Sequence, residues 1–261
     1  AAGPIMKSVS EAQGVELIPV DSEHSAISQV IRGEERDSLS KVIITASGGA
    51  FRNLTASELI DVTPDQASKH PNWNMGQRIT IDSASLFNKA LEVIETKEFF
   101  GLQSSEIEVL IHPQSLIHAI AYFCDGGMKA HIGPPDMRHS IAYALYEEKR
   151  FNLPLEQVDL SKVGTLDFEK PDLLKYPALK LGFDVLEHGG LAGAAFNAAK
   201  EEALDNFLDH KLSFLGMADV VRATMDKLSS KNELSSEMEL EAVMEIDIQA
   251  RSIAKMFIDK L

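Results

Sequence analysis

The stretch PVDSEH, residues 19–24, sets Asp21 and Glu23 two apart, directly after the apolar run VELIPV. In an extended chain residues i and i+2 face the same side, so two carboxylates would converge on one spot. Such a pair can hold a hard cation. It can equally be helix-start chemistry, with Asp21 or Ser22 as the N-cap and Glu23 in the first turn. Both readings stay open on this stretch alone.

Three further clusters could do chemistry. Ser47-Gly48-Gly49 offers a hydroxyl donor in a turn where backbone can approach a phosphate closely, although most such turns are only turns. HPNWNMGQR, residues 70–78, places the single tryptophan, Trp73, in loop composition. A mobile flap closing over a ligand would explain it, and a core tryptophan is the plain alternative. In DSASLFNKALEVIE, residues 82–95, Ser85, Asn88, Lys89 and Glu92 recur at helical spacing on one side, as a solvated face or as the wall of a site. Combined, Asp21, Glu23 and Glu92 supply three oxygen ligands suited to Mg²⁺ or Mn²⁺. Ser47, Ser83, Asn88 and Lys89 supply donors for a phosphate, with His70 able to join them.

These residues need a scaffold that brings strand and helix ends together. VELIPV (15–20), KVIITA (41–46), RITIDSAS (78–85) and IEVLIH (107–112) read as strands, and SAISQVIRG and LFNKALEVIETKEFF as helices closed by Gly33 and Gly101. LIHAIAYFCDGGMKAHIG reads as a β-hairpin around Asp125-Gly126-Gly127. Strands alternating with helices predict an α/β (α+β) domain whose sheet the hairpin makes mixed, with ligands at strand ends. Residues 148–175, with two prolines and little periodicity, read as a connection. The rest reads as four helices. The last carries Val243, Ile246, Ala250, Ile253 and Phe257 at alternating spacings of three and four, a bundle seam. The predicted division is an α/β domain over 1–147 with a flap at 68–78, a linker over 148–175, and an all-α four-helix bundle over 176–261.

Composition narrows the partners. The chain has 261 residues and a formal net charge of −15, which argues against nucleic acid and anionic membranes as main partners. No apolar run reaches the length of a bilayer span, and no signal-peptide pattern appears. One cysteine, Cys124, cannot form an internal disulfide and reads as a small structural hydrophobe.

PVDSEH, ITASGGAF, HPNWNMG, ITIDSASLFNKALEVIE, VLIHPQSLIHAIAYFCDG and PPDMRHSIAYAL follow one another in an order that strongly resembles the 1-deoxy-D-xylulose 5-phosphate reductoisomerase family. The helical YPALKLGFDVLEHGG…FNAAKE is similar too, so the resemblance covers essentially the whole chain. It implies an NADPH- and divalent-metal-dependent conversion to 2-C-methyl-D-erythritol 4-phosphate, in the non-mevalonate route to isoprenoids. By resemblance Asp21, Glu23 and Glu92 are metal ligands, and Glu23, His70 and Lys89 are catalytic. Ser22, Ser47, His70, Trp73, Ser83, Asn88 and Lys89 meet the substrate. Met75, Gly76 and Met137, with Pro135 nearby, lie toward the nicotinamide. It also implies a homodimer through the sheet, in bacterial cytoplasm or a plastid-type organelle.

The family's Gly-rich dinucleotide-binding turn is not found here, since ITASGG is no GxGxxG fingerprint. The expectation is that the natural protein extends upstream into an NADPH-binding domain and that this chain alone is inactive. Two other readings stand beside this one. One is a metal-dependent sugar-phosphate isomerase or aldolase with no nicotinamide step. The other is a helical interaction module whose acidic cluster is only N-cap chemistry.

Overall fold

The computed structural model describes residues 1–146, 149–234 and 238–261. Its sheet has four strands, β1 (Leu39–Ala46), β2 (Ile107–Ile111), β3 (Ile117–Phe123) and β4 (Met128–Ile132), in the order β2-β1-β3-β4. β1 pairs parallel with β2 and antiparallel with β3, and β3 pairs antiparallel with β4. The sheet is therefore mixed. Gly126 turns the hairpin with φ of +86°, a conformation that suits glycine. Cys124 lies exposed beside this turn and is not a core residue.

Among the described residues the helices are α1 (Gly3–Gln13), α2 (Ser22–Ile31), α3 (Pro64–Ala67), α4 (Gln77–Ser85), α5 (Phe87–Phe100), α6 (Met137–Leu145) and α7 (Leu160–Val163). Four longer ones follow: α8 (Pro177–His188), α9 (Ala192–Leu208), α10 (Phe214–Ser230) and α11 (Leu240–Ile258). None is long and apolar enough to cross a membrane.

Two expected strands are absent. Residues 15–20 form no strand and join no sheet, and Val15, Leu17 and Val20 are exposed. Short apolar runs do not by themselves distinguish a ladder strand from an extended connection. Residues 78–85 are helical, within α4. There the helix places Ile81 and Ala84 in the core and turns Ser85 back so that its Oγ donates to the Ile81 carbonyl at 2.9 Å. The consecutive β-branched Ile79, Thr80 and Ile81 favour a strand, and tertiary packing overrides that preference.

α4 and α5 are separate helices because Leu86 adopts φ of +60°, the left-handed region. That conformation costs a non-glycine residue about 1–2 kcal/mol. Leu86 is buried in the sheet's core with Val42, Ile44, Val93 and Leu179, which holds the kink in place. A second core joins Ile81, Phe87 and Ala90 to buried residues of α8 to α11, including Phe196, Phe207, Val221 and Ile246. Each large side chain so buried contributes about 1.5–3 kcal/mol. α5 thus lies between sheet and helices. At its crossing with α8 a Cβ on Gly182 would come within 2.7 Å of Ala90, so the close approach needs glycine.

Residues 149–175, between α6 and α8, are mostly irregular, with only α7 and a single bridge between Ile111 and Glu169 among them. The expected boundary between residues 147 and 148 lies outside the described residues.

Candidate metal and substrate site

Asp21 is the N-cap of α2, and its Oδ1 accepts the Ser22 backbone N–H at 2.9 Å. Glu23 falls in the first turn of that helix. Capping and cation binding were opposed readings of this stretch, but one geometry accommodates both. The first turn of α2 faces the first turns of α5, where Asn88, Lys89 and Glu92 emerge. Ligand oxygens of Asp21, Glu23 and Glu92 lie within 4.8 Å of one another.

Lys89, 3 % exposed, bridges two of these carboxylates. Its Nζ donates to Glu23 Oε1 at 2.7 Å and to Glu92 Oε2 at 2.5 Å. Asn88 Nδ2 donates to the other oxygen of Glu92 at 2.5 Å, and Ser22 Oγ donates to Glu23. Burial alone would raise Glu23, but Lys89, His118 and the Ser22 hydroxyl outweigh it and hold the carboxyl at about 2. Burial would lower Lys89, and the two carboxylates instead push it above the usual ammonium range. Glu92 is pushed well up by burial and then by Glu23. Asp21 is pushed up to about 6 by burial and again by Glu23. One ammonium therefore leaves the three carboxylates under-neutralised, and their oxygen donor set suits a hard divalent cation. The residues present fit such an ion.

The SGG turn is locked against α4. A Cβ on Gly49 would lie 2.4 Å from the Ala84 Cα, so only glycine permits this contact. It brings Ser47 beside Ser83. Ser47 Oγ is 2.9 Å from His70 Nε2. His70 Nδ1 accepts the backbone N–H groups of Asn72 at 3.1 Å and Trp73 at 2.8 Å. Nδ1 is therefore unprotonated, and Nε2–H donates to Ser47. Burial, then the field of Arg52, lowers His70 further from protonation.

Residues 70–76 carry no helix or strand. Asn72 Nδ2 anchors the segment to the Pro113 carbonyl at 2.6 Å and to Ser115 Oγ at 2.8 Å. Trp73 is half-buried and meets His118 edge-on, with ring centroids 6.1 Å apart. The C-terminal end is pinned elsewhere: Arg78 on α4 pairs with Glu201 and Asp205 of α9.

A cavity of about 200 Å³ joins these parts. Asp21, Ser22, Glu23, Asn88 and Lys89 line one side, Ser47, His70 and Ser83 another, and Trp73, Met75 and Met137 a third. Glu92 lies behind Lys89 and Asn88. Gly76 is not in the lining; it is the N-cap position of α4, and its carbonyl accepts from Thr80 Oγ1 at 2.9 Å. Ser83 sits near the end of α4 and not at a strand's edge. Ser85, expected on the polar side of α5, is outside it.

Sequence reasoning missed Thr45, Ser115 and His118. His118 is 5 % exposed on β3, and burial lowers its basicity. His118 read only as part of the hairpin's first strand, and the polar Pro113-Gln114-Ser115 loop just before it was the available signal. A larger cavity of about 760 Å³, beside α1, α5 and α8, contains none of the predicted residues.

A mixed sheet backed by helices, with a carboxylate trio beside a hydroxyl-lined cavity, defines an α/β protein whose converging oxygen donors fit a hard divalent cation. The sequence matches two family profiles, 1-deoxy-D-xylulose 5-phosphate reductoisomerase C-terminal domain over residues 17–100 and DXP reductoisomerase C-terminal domain over residues 132–253. The chain belongs to the 1-deoxy-D-xylulose 5-phosphate reductoisomerase family. It is 52 % identical over 233 residues to the 1-deoxy-D-xylulose 5-phosphate reductoisomerase of Jannaschia sp. (strain CCS1), covering 89 % of this chain and 59 % of that protein. The Zymomonas mobilis enzyme solved with NADPH superposes with a TM-score of 0.91 at 40 % identity, over 100 % of this chain and 66 % of that one. A DOX-P reductoisomerase solved with NADPH, fosmidomycin and magnesium gives a TM-score of 0.94 at 34 % identity, over 99 % and 67 %. The chain spans about three-fifths of the length of the curated relatives it matches.

Proposed function

We propose that this chain forms the metal- and substrate-binding part of an NADPH-dependent enzyme that converts 1-deoxy-D-xylulose 5-phosphate to 2-C-methyl-D-erythritol 4-phosphate. The observation that carries the reading is the convergence of Asp21, Glu23 and Glu92 within 4.8 Å, with Asp21 and Glu23 lining the cavity that Ser47, Ser83 and Asn88 share and Glu92 directly behind them.

The trio would hold Mg²⁺ or Mn²⁺, which when bound supplies Lewis-acid polarisation of the substrate's carbonyl and hydroxyl oxygens. Lys89 keeps Glu23 ionised and ready to ligate. Ser47, Ser83 and Asn88 donate to the phosphate, whose charge the rigid SGG turn can approach closely. His70 orients the Ser47 hydroxyl through Nε2–H and fixes the flap's start through Nδ1. Trp73, flanked by Met75 and facing Met137, covers the cavity and excludes water while the carbon skeleton is broken and rejoined. Met137 and Met75 provide an apolar wall toward a nicotinamide, which delivers hydride when bound. Gly76 gives the flap its hinge at the start of α4.

The same reading divides the chain into an α/β part over 1–147, a connection over 148–175 and a four-helix bundle over 176–261. Two copies would pair through the sheet: β4 is an edge strand, with Met128 and Ile132 exposed. A cytoplasmic setting fits the single free cysteine.

The test is NADPH oxidation by the full-length protein, given 1-deoxy-D-xylulose 5-phosphate and Mn²⁺. Substrate-dependent oxidation, abolished by Glu23→Gln, supports the assignment. Substrate cleavage without oxidation would replace it with a metal-dependent aldolase or isomerase.

A further inference from the structure

His24, next to the metal trio, has no part in the reading above. It is 1 % exposed, on α2, with its ring beside Phe99 at a centroid distance of 5.6 Å. Its Nε2 is 3.0 Å from the backbone carbonyl oxygen of Glu92, a contact that requires the hydrogen on Nε2. In the neutral ring Nδ1 then carries a lone pair. Nδ1 is buried and has no hydrogen-bond partner. It points between two carboxylates, 3.6 Å from Asp21 Oδ2 and 3.7 Å from Glu95 Oε2.

Those separations are too long for N–H···O bonds, which cluster at about 2.7–3.2 Å. They suit atoms that share an ion: with metal–ligand bonds of about 2.0–2.1 Å, tetrahedral ligand atoms lie roughly 3.3–3.4 Å apart. Donor atoms of Asp21, His24 and Glu95 fall within 4.8 Å of one another. The Nε2–H bond to a backbone carbonyl is the outer contact that metal-binding histidines use to fix their tautomer. We propose that Asp21, His24 and Glu95 form a second divalent-cation site, of zinc type, which shares the Asp21 carboxylate with the all-oxygen trio.

The two sites differ in chemistry. Three carboxylates favour Mg²⁺ or Mn²⁺, whereas imidazole with two carboxylates favours Zn²⁺ or Co²⁺ and places Mg²⁺ at a disadvantage. Glu95 is half-exposed, which gives an ion a path in and leaves room for water ligands. An ion there would tie the first turn of α2 to the middle of α5 independently of Lys89.

The experiment is calorimetric titration of Zn²⁺ into the 261-residue chain in excess Mg²⁺, with Co²⁺ absorption as a second readout. Wild type should take a Zn²⁺ equivalent whose affinity falls at least about tenfold in Glu95→Gln and persists in Glu92→Gln. The cobalt spectrum should lose its nitrogen-ligated, low-coordinate bands in Glu95→Gln and in His24→Gln. Glu95→Gln, at a partly exposed position, carries the test if His24→Gln fails to fold. Zinc affinity within twofold of wild type in Glu95→Gln, or loss of the equivalent in Glu92→Gln, would overturn the proposal.

Discussion

Lys89 and Glu23, 66 residues apart in the chain, meet at 2.7 Å with the ammonium almost fully buried. The contact joins α5 to the first turn of α2 and places an ammonium where a metal's charge would act. Phosphate-pocket duty was expected of Lys89 from the sequence. The structure shows its Nζ engaged by two carboxylates, at the edge of the cavity.

Replacing this lysine should therefore be felt first as stability. Lys89→Met leaves Glu23 and Glu92 buried without a counter-charge, and breaking a buried pair in this way costs about 3–5 kcal/mol. Urea unfolding in chelator should show that loss, and added Mn²⁺ should restore part of it. A loss under about 1 kcal/mol, or one indifferent to Mn²⁺, would contradict the electrostatic account.

Glu23→Gln keeps the side chain's volume and removes the charge a hard cation requires. Circular dichroism should show the fold retained, and Mn²⁺ affinity should fall at least about tenfold. Unaltered affinity would take Glu23 out of the ligand set.

Trp73 lies half-buried on a segment with no ladder or helix of its own. Trp73→Ala should cost less than about 1 kcal/mol, against about 3–5 for a core aromatic, while substrate turnover by the full-length protein drops. As the only tryptophan, it should also change its emission when 1-deoxy-D-xylulose 5-phosphate and Mn²⁺ are added together. A core-sized stability loss would make it a structural residue.

His131 on β4 lies between His118 and His139, its ring tilted against both at centroid distances of 5.7 and 5.2 Å. Burial, then the fields of His118, His139 and Arg150, holds it down to about 3 from an ordinary 6.5. The folded chain binds fewer protons than the unfolded one in that window, so this contribution is complete above pH 6.5 and is lost as pH falls toward 3. His131→Gln should flatten the pH dependence of the urea midpoint below pH 6.5. An unchanged slope would assign the acid sensitivity to other groups.

Much of the site was legible in the chain itself. Hard-cation donors, a glycine turn able to approach a phosphate, and a tryptophan in loop composition are local chemical facts. So are β1, β2 and the Asp-Gly-Gly hairpin, whose residues prefer those conformations wherever they stand. α4 was not legible, because its consecutive Ile79, Thr80 and Ile81 favour a strand until burial of Ile81 in the core shared with α8 to α11 selects the helix. The kink at Leu86 was equally hidden, since only packing around Leu86 holds a left-handed leucine. That kink decides which residues share the wall of the cavity: it leaves Ser85 behind on α4 and turns Asn88, Lys89 and Glu92 toward α2. His118 needed the register of β3 against β1 to bring it beneath Trp73. Composition and local spacing determined which chemistry was available. Long-range packing alone determined which of those groups meet, because contacts between residues 66 apart are energies of the folded core and not of any segment.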